Sequence, residues 1–182
     1  MTKIHDDRYY MQKALIEARK AYNNGDTPIG CVIVYKENKR YDRMTKIAKK
    51  MGIKDGDIIS RAYNKRNLKH TAIAHAEIYA IDKACKKIKD FRLESCTMYV
   101  TLEPCQMCAG AIVQSRIDRL VIGAMSKKSG SCGSIIDILG NDEFNHKVEV
   151  NTGVMEEECS DMLKSFFKEI RDGRIDKKVF EV

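Results

Sequence analysis

Two short, separate motifs constrain the fold of this chain more than any other feature. The first is His75-Ala76-Glu77, and the second is the pair Cys105 and Cys108, which begins 28 positions after Glu77 and directly follows Pro104. Two thiolates and one imidazole are ligands that zinc prefers, and three protein ligands leave a fourth position open for water, as in catalytic sites. The chain must therefore fold so that two distant segments meet at one point.

The spacing within each motif predicts that both segments are helix starts. Cys105 and Cys108 are three residues apart, so they share one face of a helix that has Pro104 in its first turn. His75 and Glu77 would point about 200° apart within a regular helix. Both can face one pocket only if they straddle the point where the helix begins. Each helix N-terminus would carry about half a positive charge, which stabilises thiolates and a developing hydroxide.

Glu77 is the one further acid beside these ligands, and its expected role is proton transfer. Zinc lowers the pKa of a bound water toward about 7, and a neighbouring carboxylate can accept the proton and return it to the substrate. The predicted chemistry is attack of hydroxide on an electrophilic carbon.

Two other interpretations of the cysteines are weaker. A structural zinc site would need a fourth ligand, but no other histidine or cysteine forms a second CxxC or HxxxH spacing. A redox-active CxxC needs no His-x-Glu partner and usually stands alone after a strand.

Helical and strand-like patterns alternate along the rest of the chain. Apolar spacing predicts helices near 11–22, 74–88, 104–116 and 159–170, and strands near 29–35, 58–63, 97–101, 120–124 and 147–150. The first two strands are expected to pair as a hairpin. The alternation indicates one α/β layered domain over 1–182 with a largely parallel sheet. The short C-terminal tail from about 174 receives no assignment.

Composition excludes several classes of protein. The chain has 43% hydrophobic residues, 32% charged residues and two prolines, unlike collagen-like or disordered chains. No apolar run reaches the roughly 20 residues that span a bilayer, and the polar start does not resemble a signal peptide. Seven cysteines without an export signal argue against a disulfide framework. We therefore expect a soluble, cytoplasmic protein that does not bind membranes.

Positive charge is concentrated in one window, 36–54. This window holds eight Lys or Arg residues against two acidic residues, and so accounts for most of the net charge of +7. Tyr41, Met44, Ala48 and Met51 have the spacing of one helix face. One interpretation is a basic helix that extends a surface for RNA phosphates. The other is a solvated helix whose apolar stripe packs on the hairpin or on a partner subunit.

A longer run around the second motif resembles a known family. Thr101–Ile112 (TLEPCQMCAGAI), with Ala74–Glu77 (AHAE) upstream, is similar to the tRNA-specific adenosine deaminases of the cytidine deaminase superfamily. Further matching stretches are Thr27–Gly30, Asn64, Ser115–Ile117, Gly133-Ser134, Asn145–Val148 and Phe166-Phe167. The resemblance extends over about 6–38 and 55–171.

The resemblance implies a three-layer cytidine deaminase-like fold, with a central mixed five-stranded sheet flanked by helices, and a homodimer. It also implies one Zn²⁺ per chain and hydrolytic deamination of the wobble adenosine of a tRNA anticodon to inosine, with release of ammonia. The expected partner is the anticodon stem-loop, whose bases are already splayed out, and no DNA is expected.

The family's functional residues carry over to matching positions. The resemblance makes His75, Cys105 and Cys108 the zinc ligands and Glu77 the catalytic proton shuttle. It further implies substrate contacts at Asn64, Ala76, Ser126, Lys128 and Phe167. Because Phe166 and Phe167 are adjacent on a helix, one is expected to face the core and the other to meet substrate or a partner subunit.

Three features depart from the family pattern. Ser126 stands where bacterial members often have Asp, and Thr71-Ala72-Ile73 replaces the common Asp-Pro-Thr. The basic window 36–54 is an insertion where the family usually has a short turn. Two other functions stay open: a deaminase of a free base or nucleoside, guanine above all, and a non-catalytic zinc-stabilised RNA-binding module. Glu77 argues against the second, because a structural site does not use an unligated acid.

Overall fold

The computed structural model describes residues 5–38 and 40–175. Within these ranges the elements are α1 (Asp7–Asn23), β1 (Gly30–Tyr35), α2 (Asp42–Met51), β2 (Ile58–Tyr63), α3 (Ala76–Ile88), β3 (Cys96–Leu102), α4 (Gln106–Gln114), β4 (Arg119–Ala124), β5 (Glu149–Asn151) and α5 (Glu156–Arg171). The predicted helices and strands are confirmed, with ends that differ by a few residues. Most of the C-terminal tail, and one lysine of the basic window, lie outside the described residues.

The five strands form one mixed sheet in the order β2-β1-β3-β4-β5. β1 pairs antiparallel with both β2 and β3, whereas β3-β4 and β4-β5 are parallel pairs. Four strands therefore run in one direction, and β1 alone runs against them. The expectation of a largely parallel sheet is wrong for two of the four pairings. The hairpin makes β1 antiparallel to β2, and β3 pairs with the other edge of β1, also antiparallel. The mixed sheet implied by the family resemblance is confirmed.

Helices cover both faces of the sheet and make three layers. Alternate residues of β1 point to opposite faces, as the period of a strand requires: Cys31, Ile33 and Tyr35 lie in one core with residues of α2, α3 and α4. Val32 and Val34 lie in a second core with residues of α1 and α5. In the part of the chain that the structure describes, no helix is long and apolar enough to cross a membrane.

α1 lies directly against β1 because the contact is made by small residues. A Cβ added to Gly30 would overlap the Ala14 carbonyl oxygen and the Ala18 amide nitrogen. The Gly30 amide also donates to Thr101 Oγ1 at 3.1 Å, which joins β1 to β3. Gly30 therefore fixes the distance between the helix layer and the sheet.

A polar cluster at the start of α1 ties that helix to three strands. Asp6 caps the helix by accepting from the Tyr9 amide, as its sequence position predicts. Arg119 of β4 donates to both Asp7 oxygens at 2.8 Å, and the Tyr99 hydroxyl of β3 donates to one of them at 2.8 Å. Arg119 also donates to Asn151 of β5 at 2.7 Å. These bonds hold the pKa of Asp7 below its ordinary value, with the Arg119 hydrogen bond as the largest cause.

α2 occupies the basic window and has the apolar face that the spacing predicts. Met44 and Ala48 are buried in the core, and Tyr41 and Ile47 pack against it. Met51 was expected on the same face, but it is exposed because it lies in the last turn, just before the left-handed Gly52. The apolar stripe therefore packs on the protein's own core, as the second interpretation of the window requires.

Glu103, directly after β3, organises the loop that follows β4. It is buried, and its two oxygens accept hydrogen bonds from the amides of Ser126 (2.8 Å), Cys132 (3.0 Å) and Ser134 (3.0 Å), and from the Ser134 hydroxyl. Burial raises the pKa of Glu103, but these hydrogen bonds outweigh it, and the pKa lies below its ordinary value. A Cβ on Gly130 would overlap this carboxylate. The loop 126–134 is thus folded around one charged group.

The Asp7–Arg119 pair is expected to stabilise the fold in a pH-dependent manner. Because the pKa of Asp7 is lowered in the folded protein, its contribution is complete above the unfolded pKa of about 3.9 and is lost as pH falls through the folded pKa. We expect Asp7→Asn to lower the free energy of unfolding at pH 7 by about 1 kcal/mol, a discounted value because the pair is partly exposed. Asp161→Asn, which removes an exposed pair with Lys164, should change it by less than about 0.5 kcal/mol.

Urea unfolding at pH 7 and pH 3 measures both effects. The difference between wild type and Asp7→Asn should shrink at pH 3, and an equal difference at both values would contradict the ion-pair assignment.

Glu103→Gln is expected to destabilise the loop 126–134. The amide group of Gln would direct a donor at backbone N–H groups on at least one side, leaving a buried donor unsatisfied at a cost of about 1–3 kcal/mol. Thermal unfolding should show a lower Tm, and hydrogen exchange at Cys132 and Ser134 should become faster. Glu149→Gln, an exposed acid on β5, serves as the control. Unchanged exchange in Glu103→Gln would show that the carboxylate does not hold the loop.

Candidate active site

His75, Cys105 and Cys108 meet at one point, as the two motifs predict. The distance from His75 Nδ1 is 3.7 Å to Cys105 Sγ and 3.5 Å to Cys108 Sγ, and the two sulfurs are 3.8 Å apart. Among the residues that the structure describes, this is a group of three side chains that could hold a metal ion.

The spacing of these three atoms fits tetrahedral zinc. With Zn–S near 2.3 Å and Zn–N near 2.0–2.1 Å, tetrahedral angles place two sulfurs about 3.8 Å apart and a sulfur and a nitrogen about 3.6 Å apart. The measured separations of 3.8 Å, 3.7 Å and 3.5 Å agree with these values. The donor set and its geometry therefore suit a zinc ion with a fourth position free.

Both motifs straddle helix starts. His75 is the N-cap of α3, with extended backbone angles, and Glu77 lies in the first turn. Cys105 is the N-cap of α4, and Cys108 follows in the first turn. Pro104 was expected in that first turn, but it lies just before the cap, because the helix begins at Gln106. The extended conformation of His75 removes the 200° divergence that a regular helix would impose.

His75, Cys105 and Cys108 shift one another's pKa values. A hydrogen bond from the Cys108 thiol, assisted by His75, lowers the pKa of Cys105 to about 3 despite partial burial. The same hydrogen bond and burial raise the pKa of Cys108, and the hydrogen bond to Cys105 raises the pKa of His75. Cys105 is therefore held as a thiolate at the positive end of a helix, which is the form that binds metal.

Glu77 has the environment of a proton carrier. Its side chain is buried, and its Oε2 has no hydrogen-bond partner within the described parts of the chain. Burial raises the pKa of Glu77 above its ordinary value. A carboxylate that is neither solvated nor fully hydrogen-bonded binds a proton more readily than a solvated one, so Glu77 is suited to accept and release a proton.

Asn64 and Ala76 lie at the same edge of the sheet as the ligand group. Asn64 follows β2 and is buried, and its Nδ2 donates to Thr27 O (3.3 Å) and to Asp26 Oδ1 (3.4 Å). This leaves the amide oxygen of Asn64 for another partner. Ala76 is the first residue of α3, a position whose N–H has no partner within the helix.

Asp26 is a site residue that sequence reasoning missed. It is fully buried, and besides Asn64 it accepts from the amides of Asn67 (2.8 Å) and Leu68 (3.1 Å). It thereby orients Asn64 and holds the loop that leads to His75. No periodicity or motif marks Asp26, because its partners are about 40 positions away. Glu103 stands within the family-like run Thr101–Ile112, but its role in the loop is not evident from the sequence.

Ser126 and Lys128 lie in the loop that Glu103 organises. The Ser126 amide is bound to Glu103, and the Ser131 amide donates to Pro104 O at 2.9 Å, so the loop lies beside the start of α4. Lys128 is exposed at the loop surface. The loop thus adjoins the ligand group and presents a cation beside it.

Phe166 and Phe167 differ in exposure, as their adjacent positions on a helix predict. Phe166 is buried and packs edge-on against Tyr22 of α1, whereas Phe167 is 43% exposed. Phe167 contacts the Phe166 ring and none of the metal-binding side chains. The structure therefore leaves Phe167 available at the surface but does not bring it into the ligand group.

Comparisons with known proteins agree with this geometry. Residues 5–171 match the model of the MafB19-like deaminase family. A tRNA-specific adenosine deaminase of Bacillus subtilis (strain 168) is 45% identical over 165 residues, covering 91% of each chain. A structure from a study of A-to-I editing by tRNA:A34 deaminases at the wobble position of transfer RNA has a TM-score of 0.72 and 35% identity, covering 85% of this chain and 99% of that one.

A guanine deaminase from Nitrosomonas europaea shares the fold alone. Its TM-score is 0.67 at 19% identity, covering 90% of this chain and 86% of that one. At such low identity the likeness does not extend to substrate. The His-Cys-Cys group, the buried Glu77 and the identity over nearly the whole length lead to one conclusion: the chain belongs to the tRNA-specific adenosine deaminase family.

Proposed function

We propose that this protein deaminates the wobble adenosine of a tRNA anticodon to inosine, consuming water and releasing ammonia. The observation that carries the proposal is the buried Glu77 carboxylate, with one free oxygen, beside a His-Cys-Cys group of zinc-like geometry. The 45% identity to a tRNA-specific adenosine deaminase supports the choice of substrate.

His75, Cys105 and Cys108 would hold one Zn²⁺ per chain. When bound, zinc lowers the pKa of a water molecule and so supplies a nucleophile at neutral pH. The protein's contribution is a dry site at two helix starts, where the positive ends of α3 and α4 stabilise the thiolates and developing negative charge.

Glu77 moves the protons of the reaction. Its free Oε2 accepts a proton from the water whose oxygen bonds to C6, and delivers that proton to N1 of the adenine ring. The proton of the resulting C6 hydroxyl then passes through Glu77 to the amino group, the C6–N bond breaks, and ammonia leaves a C6 carbonyl behind. Because the pKa of Glu77 is raised, the same oxygen can serve as base and then as acid.

The substrate base must leave its stack to reach this site. We assign Asn64 and the Ala76 backbone to the base and sugar, and Ser126, Lys128 and Phe167 to the flanking nucleotides. An anticodon loop suits such a site, because its unpaired bases are accessible without opening a duplex.

A homodimer is part of the proposal. Large apolar side chains are exposed on the two loops beside the ligand group, at Ile73, Ile135 and Ile136. A second copy of the chain would cover them, and sedimentation of the zinc-loaded protein measures its mass directly. We place the reaction in the cytoplasm, with tRNA as the partner.

The first test measures inosine formation on an anticodon stem-loop with a wobble adenosine. Free adenosine, cytidine and guanine are assayed in parallel, and zinc content is determined on the same sample. We expect conversion of the stem-loop and about one zinc per chain. Conversion of guanine alone would overturn the substrate, and a zinc-loaded but inactive protein would favour the non-catalytic RNA-binding module.

Glu77→Gln is expected to keep zinc and lose turnover. Gln has the same shape but cannot accept a proton, so kcat on the stem-loop should fall at least about 100-fold. Glu17→Gln replaces an equally buried helix carboxylate, 3% exposed like Glu77, and should keep kcat within about twofold. Zinc content and Tm are measured for both variants. Normal turnover in Glu77→Gln would refute the assigned role.

A further inference from the structure

A cavity lies at the edge of the sheet opposite to the metal-binding group, which is formed by His75, Cys105 and Cys108. It has a volume of about 510 Å³, and residues of the basic window line it together with the segments that precede β3, β4 and β5. The metal-binding group follows the other end of β3. This strand has seven residues, which span about 20 Å at the usual rise of a strand. The cavity is therefore separate from the catalytic site.

The walls of this cavity are mainly cationic and aromatic. They include Arg40, Arg92, Arg116 and Lys147, with the rings of Tyr41 and Phe91 between them. The Arg40 guanidinium lies 5.7 Å from the centre of the Tyr41 ring, and that of Arg92 lies 5.0 Å from the Phe91 ring. Phe91 is 62% exposed, so its ring is accessible to a ligand.

Most acidic groups near the cavity are paired with cations. Asp118, beside Tyr41 and His146, has no cation partner among the described residues, and burial raises its pKa above the ordinary value. Arg43 pairs with Asp90, and it donates to Glu94 Oε2 at 3.1 Å. Arg92 shares Asp90, and Lys147 pairs with Asp142. Within 5–38 and 40–175, Arg40 and Arg116 have no carboxylate within ion-pair distance. Two guanidinium groups are thus left to attract an anion from solution.

Arg116 occupies a position that normally belongs to glycine. It follows the C-cap of α4 with φ 59°. The Arg116 amide bonds to Val113 O (3.1 Å) and the Ile117 amide to Ile112 O (3.4 Å), which is a Schellman motif whose left-handed residue is usually Gly. Arg116 is one of five non-glycine residues with positive φ in the described part of the chain, and it lines the cavity.

We propose that this cavity binds a nucleotide, with its phosphate on Arg40 and Arg116 and its base against Phe91. Guanidinium forks match phosphate oxygens, and an aromatic ring stacks on any base, so the pair of features selects a phosphorylated nucleoside. The nucleotide is either free or a unit of an RNA chain. Arg40 belongs to the basic window, whose role is therefore to complete this site.

Calorimetric titration of the zinc-loaded protein with uridine 5′-monophosphate is the first arm of the test, with uridine as the phosphate-free comparison. A pyrimidine is used because the proposed catalytic substrate is a purine. Arg40→Gln with Arg116→Gln should weaken binding at least about tenfold. Lys46→Gln with Lys50→Gln removes two cations from the outer face of the same window and should change binding less than about twofold. This arm does not depend on deamination.

The second arm distinguishes the source of the nucleotide. KM and kcat are measured on full-length tRNA for the same variants. A KM raised at least about fivefold in the Arg40 and Arg116 variant alone, with kcat unchanged, identifies a nucleotide of the RNA chain. Binding of the mononucleotide without a KM effect identifies a free nucleotide. Equal binding of uridine and its monophosphate, equal losses in both variants, or no effect in either arm overturns the proposal.

Arg116→Gly separates binding from folding. Glycine relieves the left-handed strain, so Tm should rise by about 2–4 °C while nucleotide binding falls. Arg40→Gln alone provides a second variant. The Arg40 side chain is exposed and lies over the Tyr41 ring, so its replacement should not disturb folding. Retained binding in both variants would show that the arginines do not hold the phosphate.

Discussion

The site depends on three side-chain atoms from two helices being held within 3.8 Å of one another. Neither helix could do this alone, since His75 caps α3 and the two cysteines belong to the start of α4. Both helices begin at the same edge because β2 and β3, which precede them, run in the same direction on either side of the reversed β1. If either strand ran in the opposite direction, its helix would begin at the far edge and the ligands would be separated by the length of the sheet.

Three carboxylates around this edge, those of Asp26, Glu103 and Glu77, are buried but differ in their hydrogen-bond partners. Glu103 and Asp26 accept backbone N–H groups, and each of them fixes a loop that adjoins the metal-binding group. Glu77 is equally buried, but one of its oxygens has no partner in the described residues. A buried oxygen without a partner costs roughly 1–3 kcal/mol. The first two acids position loops, whereas the third keeps an unsatisfied oxygen at the expense of stability.

Much of this arrangement follows from local pattern. The helix start at His75 follows from the His75–Glu77 spacing, which only a helix boundary can satisfy, and the start near Cys105 follows from Pro104. The burial of Met44 and Ala48 follows from the helical period. The direction of β1 relative to β3 could not be predicted in this way, because the alternation of strands and helices does not show which strands become neighbours in the sheet. Asp26, Glu103 and the Asp7–Arg119 pair were also hidden, since their partners are distant in sequence and none has a periodic signature.

The basic window illustrates why charge alone is a poor guide to function. Its helix is attached to the fold by apolar burial at Met44 and Ala48, and Arg43 pairs with Asp90 and Glu94. Those ion pairs neutralise two acids, and Arg40, just before the helix, lines the same cavity as Arg116, a residue of the core fold with a left-handed backbone. The lysines on the outer face, such as Lys50, lie on exposed positions where screening by salt weakens any long-range effect. Within the window, the specific contributions therefore come from Arg43, which anchors the helix, and Arg40, which lines the cavity. The exposed lysines contribute mainly solubility and a general attraction for polyanions.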